Sequence, residues 1–251
     1  MTASNDGSIV ARGLGLLTPG GWVYREIDFD VPQGALALVT GPAGCGKTAL
    51  LLTVAGRMRA SEGALRLGDC DAVAQPQRAR RLVGLGETAG VNDLDPTLTV
   101  ADQVKAELAL HGRRRRRSDV VAALEPVGLA LDARVKVDDL HAADRLLLGV
   151  ALAAIGEPPF LVVDNVHEDL TPAEHVLALA RLRELTTSGT TIVAGCLDPA
   201  LATLADVVLC LGLDGRPVAG SPVADSPSPD GSVADSPTPT APRKEADRAL
   251  V

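Results

Sequence analysis

Aromatic residues, positive charge and long apolar runs are all scarce in this sequence. Aromatic side chains make up 2% of its 251 residues, so leucine, valine and alanine must fill most of any core. The formal net charge of -8 at pH 7 argues against a general nucleic-acid-binding protein, whose surface would be basic. The longest apolar run, residues 146–155, is too short to cross a bilayer. We therefore expect no nucleic-acid partner, and any membrane role must come through a partner subunit.

Signals for disulfides, metal clusters and secretion are missing as well. The four cysteines, Cys45, Cys70, Cys196 and Cys210, show no C-x-x-C spacing and no nearby pair of histidines. They are most simply reduced thiols. Residues 1–6 have neither the basic flank nor the apolar stretch of a signal peptide. The sequence therefore predicts a protein that stays in the cytoplasm.

The most informative stretch is residues 41–48, Gly-Pro-Ala-Gly-Cys-Gly-Lys-Thr, which fits the pattern G-x-x-x-x-G-K-[ST] at every fixed position. The apolar run 35–40 before it predicts a strand buried on both faces, and the run 48–56 after it predicts a buried helix. These flanks argue against the alternative, a fortuitous glycine-rich turn. In such a loop main-chain N–H groups point at phosphates, Lys47 adds a positive charge, and Thr48 offers a hydroxyl to Mg²⁺. The predicted nucleotide contacts are Gly41, Pro42, Ala43, Gly44, Cys45, Gly46, Lys47, Thr48 and Ala49.

The rest of the chain alternates strand and helix signals. Residues 9–17 and 22–31 alternate apolar and polar side chains around a Pro-Gly-Gly turn, which predicts a hairpin in a β-rich layer with a short strand at 64–67. Further strands are predicted at 81–87, 160–164, 189–194 and 206–211. Helices are predicted at 98–112, 118–127, 144–155 and 171–185, with Ser118 and Thr171 as N-caps. This alternation indicates a largely parallel sheet covered by helices on both faces.

One of these strands ends in an acidic residue. Four apolar residues, 160–163, lead to Asp164, whose carboxylate would hold Mg²⁺ opposite Thr48. Many buried strands end in aspartate, so this pattern is weak on its own. Together with a complete phosphate-binding loop at this distance, it predicts a metal site beside the nucleotide.

Two polar segments lie outside this pattern. Residues 113–117 are consecutive arginines, which indicate either a solvated helix end or loop, or a contact with anionic lipid heads or an acidic partner. From residue 221 onward the composition changes to serine, proline, aspartate and alanine, and Val-Ala-Asp-Ser-Pro occurs twice. We expect residues 221–251 to be a disordered tail, with a tether or modification target as the alternative.

These motifs, in this order, resemble the nucleotide-binding subunit of ATP-binding cassette (ABC) transporters over residues 9–222. Residues 95–100 look like the segment that opens the helical subdomain of that family, and residues 153–164 are similar to its approach to the metal-binding aspartate. The closing strand of the family is matched by residues 205–209, followed by Asp-Gly-Arg at 214–216.

The resemblance implies an α/β P-loop NTPase fold of ABC type, with a mostly parallel sheet flanked by helices, an N-terminal antiparallel β layer and a helical subdomain at about residues 95–150. The nucleotide-binding domain would span residues 1–220. In that family two such domains enclose two ATP molecules, and closure of the pair drives membrane subunits. The resemblance thus implies ATP and Mg²⁺ as ligands, with a membrane permease and an identical or different ATP-binding subunit as partners. The chain would lie at the inner face of the cell membrane through its partner.

The sequence departs from the family pattern where hydrolysis and closure take place. The signature, usually Leu-Ser-Gly-Gly-Gln, should fall at residues 140–144, where only Leu140 remains. The general base of the family, a glutamate after the metal-binding aspartate, corresponds to Asn165, whose amide cannot take a proton from water. His167 or Glu168 could replace that base, and hydrolysis through ordered water and Mg²⁺ alone is the other alternative.

Three further positions also differ. The glutamine that links the γ-phosphate, Mg²⁺ and the membrane subunit in that family corresponds to Glu87, which we therefore predict as a metal ligand beside Thr48 and Asp164. The switch histidine corresponds to about Cys196. The aromatic residue that stacks on adenine would align near Pro19, which leaves Trp22 or Tyr24 as substitutes.

The leading hypothesis is therefore an ATP-binding subunit of an ABC-type transporter with weak hydrolysis of its own, because loss of a general base costs on the order of 10²–10⁴ in rate. In a mixed pair this chain would be the regulatory half. The alternative is a nucleotide-sensing scaffold that controls a membrane partner without hydrolysing ATP. A P-loop kinase or GTPase is disfavoured, because the sequence lacks an Asn-Lys-x-Asp motif and an acceptor-substrate lid.

Overall fold

An antiparallel hairpin and its neighbours form the first layer of the fold. The computed structural model describes residues 7–114, 116–166 and 169–218. The predicted hairpin is present and forms a four-stranded antiparallel sheet with two later strands, in the order β2-β1-β4-β5. Its strands are β1 (Ile9–Thr18), β2 (Gly21–Val31), β4 (Glu62–Leu67) and β5 (Cys70–Asp71).

A five-stranded parallel sheet forms the second layer, in the order β6-β7-β8-β3-β9. Its strands are β3 (Leu36–Thr40), β6 (Val83–Leu85), β7 (Phe160–Val163), β8 (Thr191–Cys196) and β9 (Val207–Cys210). Every residue of β3, β7 and β8 is buried. Continuous apolar runs are therefore found in these strands, because both faces of the sheet are covered.

Helices cover the two faces of the parallel sheet. They are α1 (Lys47–Val54), α2 (Pro76–Leu82), α3 (Val100–Leu110), α4 (Arg117–Leu124), α5 (Ala142–Ala154) and α6 (Pro172–Thr186). On one face, α1 shares a core with the antiparallel sheet and with Ala37 and Val39 of β3. On the other face, Leu36 and Leu38 of the same strand pack in a core built by α3 to α6. The predicted α/β fold, with a mostly parallel sheet flanked by helices and an N-terminal antiparallel layer, is confirmed.

The strand predicted at residues 81–87 is only partly correct. Residues 76–82 form α2, and only Val83, Gly84 and Leu85 pair with β7. Pro76 stands at the first position of α2, where its missing N–H costs nothing, and Arg80 and Arg81 lie in the last turn, where cations are favoured. The short apolar stretch therefore becomes a strand only after this helix has ended.

The helix starts were predicted with mixed success. Thr171 caps α6 as expected, with Glu174 accepting a hydrogen bond from the Thr171 backbone N–H at 2.7 Å. The prediction of Ser118 as an N-cap is wrong, because α4 begins at Arg117. Arg116 caps this helix instead, and its backbone N–H donates to the Asp119 carboxylate at 2.7 Å. An acidic residue in the first turn can thus supply the cap hydrogen bond when the preceding side chain cannot.

Two predictions about organisation remain as predictions. Residues 95–150 contain α3, α4 and the first part of α5, but the boundaries of a separate helical subdomain are not tested by this arrangement. The tail predicted at residues 221–251 lies outside the described residues. Across the three described ranges, each helix is too short or too polar to cross a membrane.

Tyr24 ties the antiparallel sheet to α1. Its side chain is fully buried, and its hydroxyl donates a hydrogen bond to Thr53 Oγ1 at 2.7 Å. The Thr53 hydroxyl in turn donates to the Ala49 carbonyl at 2.8 Å. Burial raises the pKa of Tyr24 to about 12 from the ordinary value of 10.0. The neutral phenol is therefore the form that the fold stabilises.

Replacing Tyr24 by phenylalanine should lower the free energy of unfolding by about 1 kcal/mol near neutral pH, because one buried hydrogen bond is lost. The wild-type chain should lose stability as the pH rises from 10 to about 12, since Tyr24 ionises in the unfolded chain at lower pH than in the folded one. Denaturant unfolding of both chains at several pH values measures this. An equal alkaline loss in Tyr24→Phe would contradict the assignment.

Candidate nucleotide-binding site

The loop between β3 and α1 is held by close main-chain contacts. Gly41 and Gly46 have φ angles of 140° and 95°, a region that favours glycine. A Cβ atom at residue 41 would lie 2.4 Å from the Leu211 carbonyl oxygen, and one at residue 46 would lie 2.6 Å from the Val23 carbonyl oxygen. The loop is therefore wedged between β2 and the segment after β9, and no larger residue fits at either position.

Lys47 is the first residue of α1 and points back over this loop. It is 7% exposed, and its ammonium group donates hydrogen bonds to the carbonyl oxygens of Gly41 at 2.8 Å and Pro42 at 2.9 Å. Six of the nine predicted nucleotide contacts line a cleft together with Asn165 and Leu197, whereas Gly41, Pro42 and Cys45 do not line it. The six are Ala43, Gly44, Gly46, Lys47, Thr48 and Ala49. A helix N-terminus and a lysine at the mouth of one cleft suit an anionic phosphate group.

Asp164 follows β7 and is almost completely enclosed, with 3% exposure. Its Oδ1 atom accepts a hydrogen bond from the Asn165 backbone N–H at 2.9 Å. Gly195 of β8 leaves room for the carboxylate, since a Cβ atom there would lie 2.8 Å from Oδ1. The carboxylate is therefore held close to the sheet, at the same end of β7 and β8 as the loop that begins α1.

A hydroxyl and a carboxylate are oxygen ligands of the kind that Mg²⁺ prefers. The Thr48 side chain lines the cleft, and Asp164 lines the cavity that adjoins it through Asn165. Within residues 7–114, 116–166 and 169–218, no group of three or more His, Cys, Asp or Glu side chains could hold a metal ion. The residues present fit a Mg²⁺ ion that takes one or two protein ligands and completes its shell with phosphate and water.

Asn165 adopts a left-handed backbone conformation, with φ of 50°. Asparagine tolerates this region better than most residues, because its short amide can form local hydrogen bonds. The side chain lines both the loop cleft and the neighbouring cavity. The position predicted for the general base is thus beside the predicted metal ligand, but it holds an amide. The proposed replacement bases, His167 and Glu168, lie outside the described residues.

Glu87 forms an ion pair that the sequence did not predict. Both of its carboxylate oxygens lie 3.0 Å from Nε of Arg145, and Oε1 also contacts Nη2. The hydrogen bond to Glu87 raises the pKa of the Arg145 guanidinium above its ordinary value. Glu87 lines the same cavity as Asp164, so it does reach the predicted metal region. No sequence signal could have identified Arg145, because 58 residues separate it from Glu87.

The switch position predicted at about Cys196 lies in the core. The Cys196 side chain is fully buried, and this burial raises the pKa of its thiol. The next residue, Leu197, is 38% exposed and lines the cleft. Leu197 therefore lines the cleft, whereas Cys196, the last residue of β8, lies in the core.

The sequence and the fold both match known proteins. A family model described as "ABC transporter" matches residues 24–167. The chain belongs to the ABC transporter family. An uncharacterized ABC transporter ATP-binding protein of Mycobacterium tuberculosis is 32% identical over 201 residues, which cover 76% of this chain and 60% of that protein. A probable ABC transporter ATP-binding protein of Azorhizobium caulinodans is 28% identical over 189 residues, covering 74% and 67%.

A third relative, the taurine import ATP-binding protein TauB of Pseudomonas aeruginosa, is 29% identical over 204 residues, covering 78% of this chain and 73% of that protein. Solved structures show the same fold. The chain of cbiO1 from Clostridium perfringens, part of an ABC transporter complex, has a TM-score of 0.72 at 18% identity and covers 85% of this chain and 87% of its own. The dimeric cassette MJ0796 has a TM-score of 0.69 at 21% identity, covering 83% and 96%.

The ABC signature segment predicted at residues 140–144 lies at the start of α5. Leu140 ends the turn before the helix, and His141 is its exposed N-cap. His141 Nδ1 lies 3.6 Å from Glu174 Oε1, at the start of α6. Asp144 stands in the first turn of α5. The segment thus occupies a helix N-terminus, although its own side chains include a carboxylate.

The two candidates for an adenine-stacking residue in this ABC chain differ in exposure. Tyr24 is fully buried against Thr53, so its ring is not accessible to a nucleotide. Trp22 is 38% exposed and pairs across the hairpin with Leu17, which is also exposed. Pro19 lies in the turn of this hairpin, two residues before β2 begins. Of the two aromatic candidates, Trp22 is the one whose side chain solvent can reach.

Proposed function

We propose that this ABC chain binds Mg-ATP at the loop between β3 and α1 and passes the state of that site to a membrane permease. The arrangement of Lys47 carries this proposal. Its ammonium group is enclosed at the mouth of a glycine-lined loop, where it donates hydrogen bonds to two main-chain carbonyl oxygens and lies 3.9 Å from the Cys45 sulfur. It can exchange these carbonyl contacts for phosphate oxygens without leaving a buried carboxylate unpaired.

The residues around the loop have separate roles in this proposal. The N–H groups at the start of α1 bind phosphate oxygens, and Lys47 adds a positive charge near the β- and γ-phosphates. Thr48 and Asp164 would hold Mg²⁺, which supplies charge neutralisation on the phosphates. Gly195 keeps Asp164 in place by leaving space for its carboxylate. Binding therefore uses groups from the ends of β3, β7 and β8.

Hydrolysis at this site is proposed to be weak. Asn165 occupies the place of the general base, and its amide accepts no proton from an attacking water. The cleft side chain after β8 is that of Leu197, which offers no polar contact to a phosphate. These two features also favour the second candidate function, a nucleotide-sensing scaffold that does not hydrolyse ATP.

The proposed partners are a permease and a second ATP-binding subunit, identical or different. The MJ0796 cassette, whose fold this chain shares, is described as a dimer. An alanine pair and Asp144 in the signature segment would serve an opposing nucleotide poorly, because they add a negative charge and no hydroxyl. In a mixed pair this chain would therefore be the regulatory half, located at the inner face of the membrane through the permease.

Changing Lys47 to alanine should weaken ATP binding about 100-fold, because two or more charge-assisted hydrogen bonds to phosphate are lost. Lys105→Ala is the matched control, since Lys105 is a half-buried lysine of α3 that pairs with Asp102 at 3.4 Å. Isothermal titration with Mg-ATP measures both. Equal affinities for the two variants would contradict the proposed binding site.

Changing Asn165 to glutamate should raise ATP-dependent phosphate release at least about tenfold, because a general base returns. The Asn165→Gln variant has a side chain as long as that of glutamate, but its amide accepts no proton. Its rate of phosphate release should therefore stay at the wild-type value. Both variants face the same cost of the left-handed backbone at this residue, on the order of 1–2 kcal/mol. An equal rate in both variants would show that a base is not what limits turnover.

A separate measurement tests the scaffold function. If the wild-type chain hydrolyses ATP and Lys47→Ala abolishes that turnover, the scaffold function is excluded.

Trp22 is proposed to contact adenine. Its ring is exposed beside Leu17, and the carbonyl of the next residue, Val23, lies 2.6 Å from the Cβ position of Gly46 in the loop. Trp22 is the only tryptophan of the chain, so its fluorescence reports on this ring alone. ATP should quench that fluorescence through stacking, and ribose triphosphate without a base should not. Identical spectra with and without saturating ATP would contradict the contact.

A further inference from the structure

The Glu87–Arg145 ion pair joins the loop after β6 to the first turn of α5. The guanidinium group of Arg145 holds both oxygens of the Glu87 carboxylate, in the forked arrangement that arginine forms with carboxylates. Both side chains are shielded, with 20% exposure for Glu87 and 33% for Arg145. The pair is therefore less screened by solvent than the exposed ion pairs elsewhere on this chain.

A second contact between α5 and Glu87 keeps this pair in place. Gly149 lies one helical turn after Arg145, on the same face of α5. A Cβ atom at residue 149 would lie 3.0 Å from the Glu87 backbone nitrogen and 3.1 Å from its Cβ. The helix thus packs directly on the Glu87 backbone while Arg145 reaches the side chain. Neither group can move far without disturbing the other.

The ion pair lines a cavity in which negatively charged side chains predominate. The cavity next to the loop cleft has Glu87, Asp93, Asp164 and Asp169 in its lining. Among the described residues that line this cavity, Arg145 is the only cation. A carboxylate at residue 87 would otherwise add a full negative charge beside the cleft in which the polyphosphate is proposed to bind. The repulsion would act across a shielded space where screening by water is reduced.

We propose that Arg145 is a positioning residue that neutralises Glu87 and holds its carboxylate against α5, so that a glutamate at this position is compatible with ATP binding. The inference rests on the proposed function, because it assumes that a nucleotide binds at Lys47. Arg145 contacts no nucleotide itself and acts through Glu87. It also makes Glu87 a charge partner of α5.

Opposite changes at the two partners test the proposal, with ATP affinity measured by isothermal titration in EDTA at low salt. Arg145→Gln leaves Glu87 negative and unpaired, so it should weaken ATP binding about tenfold. Glu87→Gln leaves Arg145 positive and unpaired, so it should bind ATP as tightly as wild type or more tightly. The double variant should return to within about threefold of wild type, and Arg145→Lys should keep most of the affinity. Added salt should reduce the difference between the two single variants.

A purely structural role for the ion pair gives a different result. Both single variants lose the same pair, so both should then weaken binding, and the double variant should not recover. That pattern, or wild-type affinity in Arg145→Gln, would overturn the proposal while leaving the proposed function intact. If the wild-type chain bound neither free ATP nor Mg-ATP, the proposed function would fail and this inference with it; if it bound only Mg-ATP, the same variants are compared with Mg-ATP. Should Arg145→Gln not fold, the direction of the change in Glu87→Gln still decides.

Discussion

Close packing of one glycine loop between two layers is the constraint on which the rest of this structure depends. Gly41 approaches the main chain after β9, and Gly46 approaches the main chain of β2, at distances that leave no space for a side chain. The loop is thereby clamped between the antiparallel and the parallel sheet before any ligand arrives. A preformed loop does not have to be ordered on binding, so more of the interaction energy is available for phosphate.

Three charged residues around the proposed site lie at the same end of the parallel sheet. Asp164 follows β7, Glu87 follows β6, and Lys47 follows the loop after β3. Parallel strands make this possible, because their carboxyl ends all meet at one edge of the sheet. The arrangement also concentrates negative charge, and Arg145 of α5 offsets part of it. In the proposed site, α1 therefore contributes Lys47 to phosphate binding, and α5 contributes Arg145 to charge balance.

The proposed site has the groups needed to bind ATP but not all of those needed to hydrolyse it. In the proposed site, the loop, Lys47, Thr48 and Asp164 supply the groups that would hold a metal-bound polyphosphate. Asn165 and Leu197 lie beside these groups, where a base and a polar contact would be needed for rapid turnover. We infer that binding of ATP, more than its hydrolysis, is the main role of this site.

Local sequence patterns determined the loop, the main strands and helices, the two kinds of sheet and the residue types of the proposed phosphate and metal site. They did so because glycine conformation, apolar periodicity and helix capping act over a few neighbouring residues. They failed where neighbours in space decide, as at α2 and β6. Burial placed Cys196 in the core and Leu197 in the cleft, and the fold joined Glu87 to Arg145. Only the tertiary structure could settle these, because the partners lie far apart along the chain and meet through packing.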